Sequence, residues 1–248
     1  MLETYVKKIL SSKVYDLAKE TPLSPARLLT QRFGTQVYLK REDLQSIYSF
    51  KLRGAYNRMV HIDAKQLEKG VVTASAGNHA QGVAVAADKL NVKATVVMGF
   101  NTPAIKVESV KNFGAKVVLH GDSYDEAAEF ANNLAESEGS TYIHPYDDPL
   151  VIAGQGTVGM EIANQHTGHI DAIFVPVGGG GLIAGIACFF KYLRPRTKII
   201  GVEAEGSACL FEAKKSGRRV KLPRESLDLF ADGVSVAQIG AVSYTHLT

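Results

Sequence analysis

The chain has 248 residues, of which 46% are hydrophobic and 21% are charged, as is typical of a folded globular protein. Its net charge of +3 is small and its basic residues are spread along the chain, so we expect no nucleic-acid partner. No apolar run approaches a membrane span, and Glu3, Lys7 and Lys8 interrupt the region where a signal peptide would be apolar, so we expect no membrane partner. Cys188 and Cys209 form no CxxC motif, which favours a reducing, cytoplasmic compartment.

Short apolar runs alternate with helical patterns along most of the chain. Residues 1–20 predict one or two helices, and further helices are predicted at 53–61, 79–91, 122–138 and 182–193, near 102 and after 157. Predicted strands cover residues 36–40, 71–74, 94–98, 115–119, 142–144, 170–177 and 198–203. Strands that are apolar on both faces and alternate with helices predict an α/β fold with mostly parallel sheets.

A turn-rich stretch at 144–149 predicts a crossing between two compact units. Residues 37–148 would form a small unit, and residues 1–36 with 149–248 would form a large one. A cleft between two α/β units is a common place for a cofactor. Near the end, residues 232–236 predict a turn and the start of a strand. Residues 243–248 complete no element, so we expect a fragment or a foreign tail.

Lys51 follows Phe50 at a predicted strand-loop-helix junction. Functional groups gather at such loop ends, and the positive end of the helix dipole disfavours the ammonium form of a nearby lysine. A neutral lysine can attack a carbonyl and form a Schiff base. Position alone leaves a solvated surface lysine as the more common alternative.

Four consecutive glycines, Gly178–Gly181, lie between an apolar strand and an apolar helix that continues from Leu182. The free N–H groups and positive dipole of a helix start can bind a phosphate, and packing alone explains four glycines poorly. A flexible turn is one alternative. Another is a nucleotide-binding oxidoreductase, because Gly179, Gly181 and Ala184 fit the relaxed G-x-G-x-x-A pattern and Glu203 lies near the end of the next strand.

A second candidate anion site lies between a strand and a helix at Ser75-Ala76-Gly77-Asn78-His79. Its small residues leave backbone amides open to a carboxylate. Asn78 can contact a ligand oxygen, whereas His79 more often caps or packs in such a position. A third stretch, residues 153–157, is predicted as a loop that enters a helix. One candidate Schiff-base lysine and two anion sites suit pyridoxal phosphate and the carboxylate of an amino acid.

Three motifs together resemble the serine/threonine dehydratase family, which has the tryptophan-synthase-β fold (fold type II) of pyridoxal phosphate enzymes. They are residues 49–55 (SFKLRGA), 73–82 (TASAGNHAQG) and 178–182 (GGGGL), in the family's order and spacing. Residues 21–23, 40–43 and 153–157 match as well. The likeness runs from about Tyr15 to about Gly240 and is greatest to the biosynthetic, threonine-cleaving members. It implies two three-layer α/β/α units.

The resemblance also implies roles for individual residues. Lys51 would carry pyridoxal 5'-phosphate as a Schiff base and then act as the base at Cα, with Phe50 packed near the ring. Asn78 would contact the phenolic oxygen of the ring. Backbone N–H groups of Gly178, Gly179, Gly180, Gly181 and Leu182 would bind the phosphate. The substrate carboxylate would lie against Ser75, Ala76, Gly77, Asn78 and His79, with Gln155.

The implied reaction is elimination of water from L-threonine, which gives 2-oxobutanoate and ammonia for isoleucine biosynthesis, with L-serine as a second substrate. Related racemases carry a hydroxyl residue where this chain has Ala76, which favours elimination over racemisation. The family's serine partner of the pyridine nitrogen would lie beyond residue 248, as would the regulatory domain. We therefore expect a C-terminally truncated catalytic region, with an inactive fragment as an alternative.

No metal site is predicted. His166 and His169 are three residues apart, but no third ligand is obvious, so they are interpreted as surface residues. Glu203, Glu205 and Ser207 lie where some relatives of the family bind a divalent cation, but the match is partial. The resemblance further implies a homo-oligomer, either a dimer or a tetramer.

Overall fold

The computed structural model describes residues 2–247. Its helices are α1 (Leu2–Leu10), α2 (Arg27–Phe33), α3 (Lys51–Met59), α4 (Ala64–Leu67), α5 (Asn78–Leu90), α6 (Ala104–Lys111), α7 (Tyr124–Glu138), α8 (Pro149–Gln165), α9 (Gly181–Leu193), α10 (Cys209–Ser216) and α11 (Ala241–Leu247). Its strands are β1 (Leu23–Pro25), β2 (Tyr38–Lys40), β3 (Val71–Ala74), β4 (Ala94–Met98), β5 (Lys116–Leu119), β6 (Thr141–Tyr142), β7 (Ala172–Pro176) and β8 (Lys198–Val202). The predicted α/β class with mostly parallel strands is confirmed.

A four-stranded parallel sheet forms one α/β/α unit in the order β5-β4-β3-β6. All four residues of β3 are buried, as its apolar sequence predicts for a central strand. Ala127, Ala131 and Ala135 of α7 pack on one face of the sheet. Helices α3, α5 and α6 supply the apolar cluster on the other face. Residues 75–77 form the loop that connects the carboxyl end of β3 to the start of α5.

The second sheet is the parallel pair β7 and β8, with α9 and α10 against one face. Val175 is buried on that face, whereas Phe174 next to it is 68% exposed. Val202 on β8 is also exposed. The expectation that both faces of these strands are buried is therefore wrong for this pair, because no described segment packs over the Phe174 face.

Helix α8 runs unbroken from Pro149 to Gln165, so the predicted loop at residues 153–157 is wrong. Glycines occur here because three helices touch through their backbones. A Cβ on Gly154 would lie 2.7 Å from the carbonyl oxygen of Arg53 on α3, and a Cβ on Gly185 of α9 would lie 2.6 Å from the backbone nitrogen of Gly156. These glycines are therefore required by close packing between helices rather than by a turn.

The C-terminal region also differs from its prediction. Residues Asp232–Val234 form a 3₁₀ turn rather than a strand start. Residues 241–247, which include most of the stretch expected to complete no element, form α11. The Asp147 carboxylate accepts hydrogen bonds of 2.8 Å from the backbone N–H groups of Ala241 and Val242, which satisfies donors at the start of this helix. Residue 248 lies outside the described residues.

No helix within residues 2–247 combines the length and the apolar character that crossing a bilayer requires.

Candidate active site

A cavity lies where the two sheet units meet. Lys51 and Phe50 at the start of α3, the glycine run with Leu182, and Gln155 of α8 line it. The rest of its wall comes from Pro145, Tyr146, Pro176, Gly233, Val234 and Val236. The structure thus brings the predicted lysine and the predicted phosphate loop, which are more than 120 positions apart in sequence, to the same cavity.

The amine of Lys51 is held in an apolar setting at this cavity. Its Nζ donates a 3.0 Å hydrogen bond to the carbonyl oxygen of Pro145 and lies 5.6 Å from the centre of the Phe50 ring. Burial lowers the pKa of the Lys51 amine to about 8, because removing an ammonium from water disfavours its charged form. About a tenth of the amine is then unprotonated at pH 7, far more than for an ordinary lysine, and a nucleophile requires this neutral form.

The glycine run leads directly into α9, with Gly180 in the left-handed region at φ 91°. In the described residues, the backbone N–H groups of Gly178, Gly179 and Gly180 donate to no protein acceptor. Protein atoms also crowd these glycines: a Cβ on Gly180 would lie 2.5 Å from Ile239, and a Cβ on Gly179 would clash with the ring of Tyr146. Packing therefore leaves no room for a side chain at Gly179 or Gly180, which the sequence alone did not indicate. The N–H groups of the run remain free to bind an anion.

These features fit a phosphorylated aldehyde. The lysine amine can form a Schiff base, and the free N–H groups at the α9 start can cradle a phosphate. Gln155 adds a polar group: its Oε1 accepts from the Gly54 N–H at 3.2 Å, while its buried Nε2 has no hydrogen-bond partner within residues 2–247. An unpaired buried donor at a cavity wall indicates that a ligand or a water completes the site.

The predicted carboxylate loop lies beside this cavity but does not line it. Ser75 Oγ accepts a 3.2 Å hydrogen bond from the Gly77 N–H, which shapes the turn around Ala76, and Asn78 is exposed at the start of α5. A Cβ on Gly233 would come within 3.9 Å of Asn78 Nδ2, so this loop approaches the cavity rim.

His79 lies beneath this loop, in the interior. Its ring is buried, and Nε2 bonds the carbonyl oxygen of Ile143 at 3.0 Å. Burial, helped by the positive charge of Lys51, lowers the pKa of His79 to about 3, so the ring is neutral and Nε2 is the donor. The packing interpretation of His79 fits this position, and a direct substrate contact remains a prediction.

Sequence reasoning missed several residues of the cavity wall. Tyr146 lies in the turn-rich stretch 144–149, where an aromatic residue among turn formers was the available signal. Gly233, Val234 and Val236 had no local signal, since only tertiary contact brings them to the glycine run. Glu203, whose position near the end of a strand fits the nucleotide-binding alternative, instead accepts 2.9 Å hydrogen bonds from the backbone N–H groups of Leu210 and Phe211 at the start of α10.

An α/β fold that presents a desolvated lysine amine beside a glycine-rich helix start defines a class of enzymes that hold a phosphorylated aldehyde cofactor. A family model described as "Pyridoxal-phosphate dependent enzyme" matches residues 14–247. The chain belongs to this family, whose cofactor is pyridoxal phosphate. The match extends past Gly240, so the expected end of the likeness at that residue is corrected.

Curated relatives and solved structures show which members of the family this chain is similar to. The chain is 55% identical over 240 residues to a threonine dehydratase of Nicotiana attenuata, and 52% identical over 243 residues to a biosynthetic L-threonine dehydratase of Burkholderia multivorans. These alignments cover 97% of this chain but only 39% and 48% of the relatives. The processed form of threonine deaminase isoform 2 from Solanum lycopersicum superposes with a TM-score of 0.95 at 52% identity, covering 99% of this chain and 71% of that one. Maize serine racemase gives a TM-score of 0.92 at 32% identity, covering 99% of this chain and 73% of that one.

Proposed function

We propose that this chain carries the catalytic region of a pyridoxal phosphate-dependent threonine ammonia-lyase. The reaction converts L-threonine to 2-oxobutanoate and ammonia, and L-serine to pyruvate and ammonia. The observation that carries the proposal is the Lys51 amine, desolvated and directed to a cavity that the glycine run also lines. The names of relatives at 52–55% identity support threonine as the substrate and a biosynthetic role, for which we propose isoleucine biosynthesis.

Pyridoxal phosphate, when bound, supplies an aldehyde for the amino group and a ring that withdraws electrons from Cα. Lys51 would hold the aldehyde through Nζ. Once the substrate amine has replaced it, the free Nζ would accept the proton from Cα, and an amine whose pKa is about 8 suits that task near neutral pH. Elimination of the β-hydroxyl follows, and water then releases ammonia from the nitrogen-bearing product.

Other residues would bind and orient. The N–H groups of the glycine run would hold the phosphate, and Phe50 would pack near the ring. The loop Ser75–Asn78 and Gln155 Nε2 would hold the substrate carboxylate, for which the unpartnered amide of Gln155 is the supporting observation. Ala76 offers no hydroxyl to return a proton from the opposite face, which favours elimination.

The direct test is spectroscopic. Purified protein supplied with pyridoxal phosphate should turn yellow, and borohydride should bleach it and fix the cofactor to the peptide that contains Lys51. Lys51→Arg keeps the charge but cannot form the Schiff base, so it should stay colourless. A colourless wild-type protein that binds NAD would instead support the nucleotide-binding alternative, although the helix-capping role of Glu203 argues against it.

A second measurement separates an active enzyme from an inactive fragment. The chain spans 39–48% of the length of these curated relatives, so whether it supplies a complete active site is part of the proposal. Release of 2-oxobutanoate from L-threonine by the yellow protein supports the full activity. A folded, yellow protein that releases no 2-oxo acid would show that the cofactor site is present without the rest.

We also propose a domain division, a cellular compartment and an oligomeric state. Separate apolar clusters around β3–β5 and around α8–α9 support the division into residues 37–148 and residues 1–36 with 149–248. The two buried, unpaired cysteines favour a reducing compartment, and we propose the cytoplasm. The exposed apolar face at Phe174 supports a homo-oligomer, which light scattering would test.

A further inference from the structure

Arg53, two residues after Lys51 on α3, is completely buried and makes six hydrogen bonds. Its guanidinium forms a bidentate ion pair with Glu42, to which Nε and one terminal nitrogen both donate at 2.8 Å. The two terminal nitrogens form a second bidentate ion pair with Glu161 of α8, at 2.5 and 3.0 Å. The remaining bonds reach the Thr157 hydroxyl and the carbonyl oxygen of Lys19. All donors of this planar group are therefore used.

The two carboxylates have further partners, so the charges balance. Lys40 lies 2.6 Å from Glu161, which also accepts from the Tyr15 hydroxyl at 2.8 Å. Glu42 accepts from Thr21 at 2.5 Å and from Gln45 at 3.3 Å. Two positive and two negative groups thus share one buried cluster. Burying such charges is costly unless each is paired and hydrogen-bonded, and here each one is.

The cluster lies on the side of α3 away from the cavity. Residues two apart on an α-helix point about 200° apart, so Lys51 and Arg53 face opposite sides of α3. The same offset separates Gln155, which lines the cavity, from Thr157, which bonds Arg53. Between the two sides, the backbones of Arg53 and Gly154 are in direct contact. The cluster therefore holds α3 and α8 together directly behind the two cavity side chains.

We propose that Arg53 is a positioning residue: by joining Glu42 and Glu161 it fixes α3 against α8, so that the Lys51 amine stays desolvated beside the Pro145 carbonyl. The inference rests on the proposed role of Lys51 in holding the aldehyde. Arginine suits the position because its rigid fork bonds two carboxylates bidentately, whereas a lysine ammonium binds as a point charge.

Arg53→Lys is the informative variant, because it retains the positive charge and removes only the fork. Ile162→Ala is the matched control, since Ile162 is a buried core residue of α8 outside the cluster. Each cofactor-free protein would be mixed with pyridoxal phosphate, and the rate at which Schiff-base absorbance appears would be followed as a function of pH. A loosened α3 admits water to Lys51 and returns its titration toward that of an ordinary lysine.

The wild-type rate is expected to rise with pH through a midpoint near pH 8 and to reach its plateau about one unit higher. In Arg53→Lys the plateau should move up by one pH unit or more, with a rate at pH 7 about tenfold lower. Ile162→Ala should lower the denaturation midpoint and leave the plateau in place. If Arg53→Lys does not fold, Glu161→Gln should show the same upward shift of the plateau. This variant keeps the shape of the side chain and removes the charge from one of the two ion pairs of Arg53.

A folded variant with the wild-type plateau would overturn the inference and leave Arg53 as a packing residue. An equal shift in Ile162→Ala would also overturn it, because lost stability alone would then explain the effect. Failure of the wild-type protein to form the Schiff base would instead refute the proposed function, and the inference with it.

Discussion

The Nζ of Lys51 donates to the carbonyl oxygen of Pro145 across 3.0 Å, and this contact joins the helix that begins at the lysine to the crossing stretch 144–149. A carbonyl accepts from either protonation state of an amine, so the contact orients Nζ without requiring the ammonium. Burial then determines how easily the amine loses its proton.

The first prediction concerns stability as a function of pH. The pKa of Lys51 is about 8 in the folded protein and 10.5 for an ordinary lysine, so between these values the unfolded chain binds one more proton. The free energy of unfolding should therefore rise with pH in this window, relative to Lys51→Met, by about 3 kcal/mol. Urea denaturation of both proteins from pH 7 to 10.5 measures the difference, in which other titrating groups cancel. Parallel stability curves would contradict the lowered pKa.

The second prediction tests the backbone contact between α3 and α8. Gly154→Ala places a Cβ 2.7 Å from the Arg53 carbonyl oxygen, and neither backbone can move without disturbing the other helix. We expect a loss of about 1–3 kcal/mol in the free energy of unfolding, despite the better helix propensity of alanine. Asn164→Ala, at an exposed position of the same helix, is the control and should be neutral or slightly stabilising. Equal stability of Gly154→Ala and wild type would rule out the close contact.

The third prediction concerns the choice of reaction. If Ala76 favours elimination because it lacks a hydroxyl, Ala76→Ser should convert some L-serine to D-serine, which chiral chromatography detects. Ala76→Gly changes the size of the residue without adding a proton donor and should give no D-serine. Retained elimination with no racemisation in Ala76→Ser would count against the assignment.

The fourth prediction concerns the bare face of the β7–β8 pair. Phe174→Thr removes an apolar side chain that is 68% exposed, so light scattering should show less self-association, with stability unchanged within about 0.5 kcal/mol. Val175→Thr, one position along and buried, should instead cost about 1–3 kcal/mol because its hydroxyl enters the core. Unchanged self-association of Phe174→Thr would show that this face stays free.

Local patterns predicted most of the elements and the three parts of the candidate site. The helix predicted over residues 122–138 is α7, and the hydroxyl of Ser123 caps it by accepting from the Glu126 N–H at 3.1 Å. The run Val71–Ala74 is a strand as predicted, since three apolar residues and a β-branched threonine suit a central parallel strand. The loop predicted at residues 153–157 is wrong because the sequence does not distinguish a glycine that a neighbouring helix requires from a glycine that a turn requires.

Residue identities alone thus specified the α/β alternation, the lysine after Phe50 and a glycine-rich helix start, because periodicity, caps and turn residues act over a few positions. They could not show that Lys51 loses its water, that Tyr146 packs on the glycine run, or that Arg53 joins Glu42 and Glu161. These properties depend on residues up to 185 positions apart, from Lys51 to Val236, and on how closely three helices approach one another at their glycines. Desolvation and charge pairing are properties of the packed interior, so they emerge only when distant segments meet.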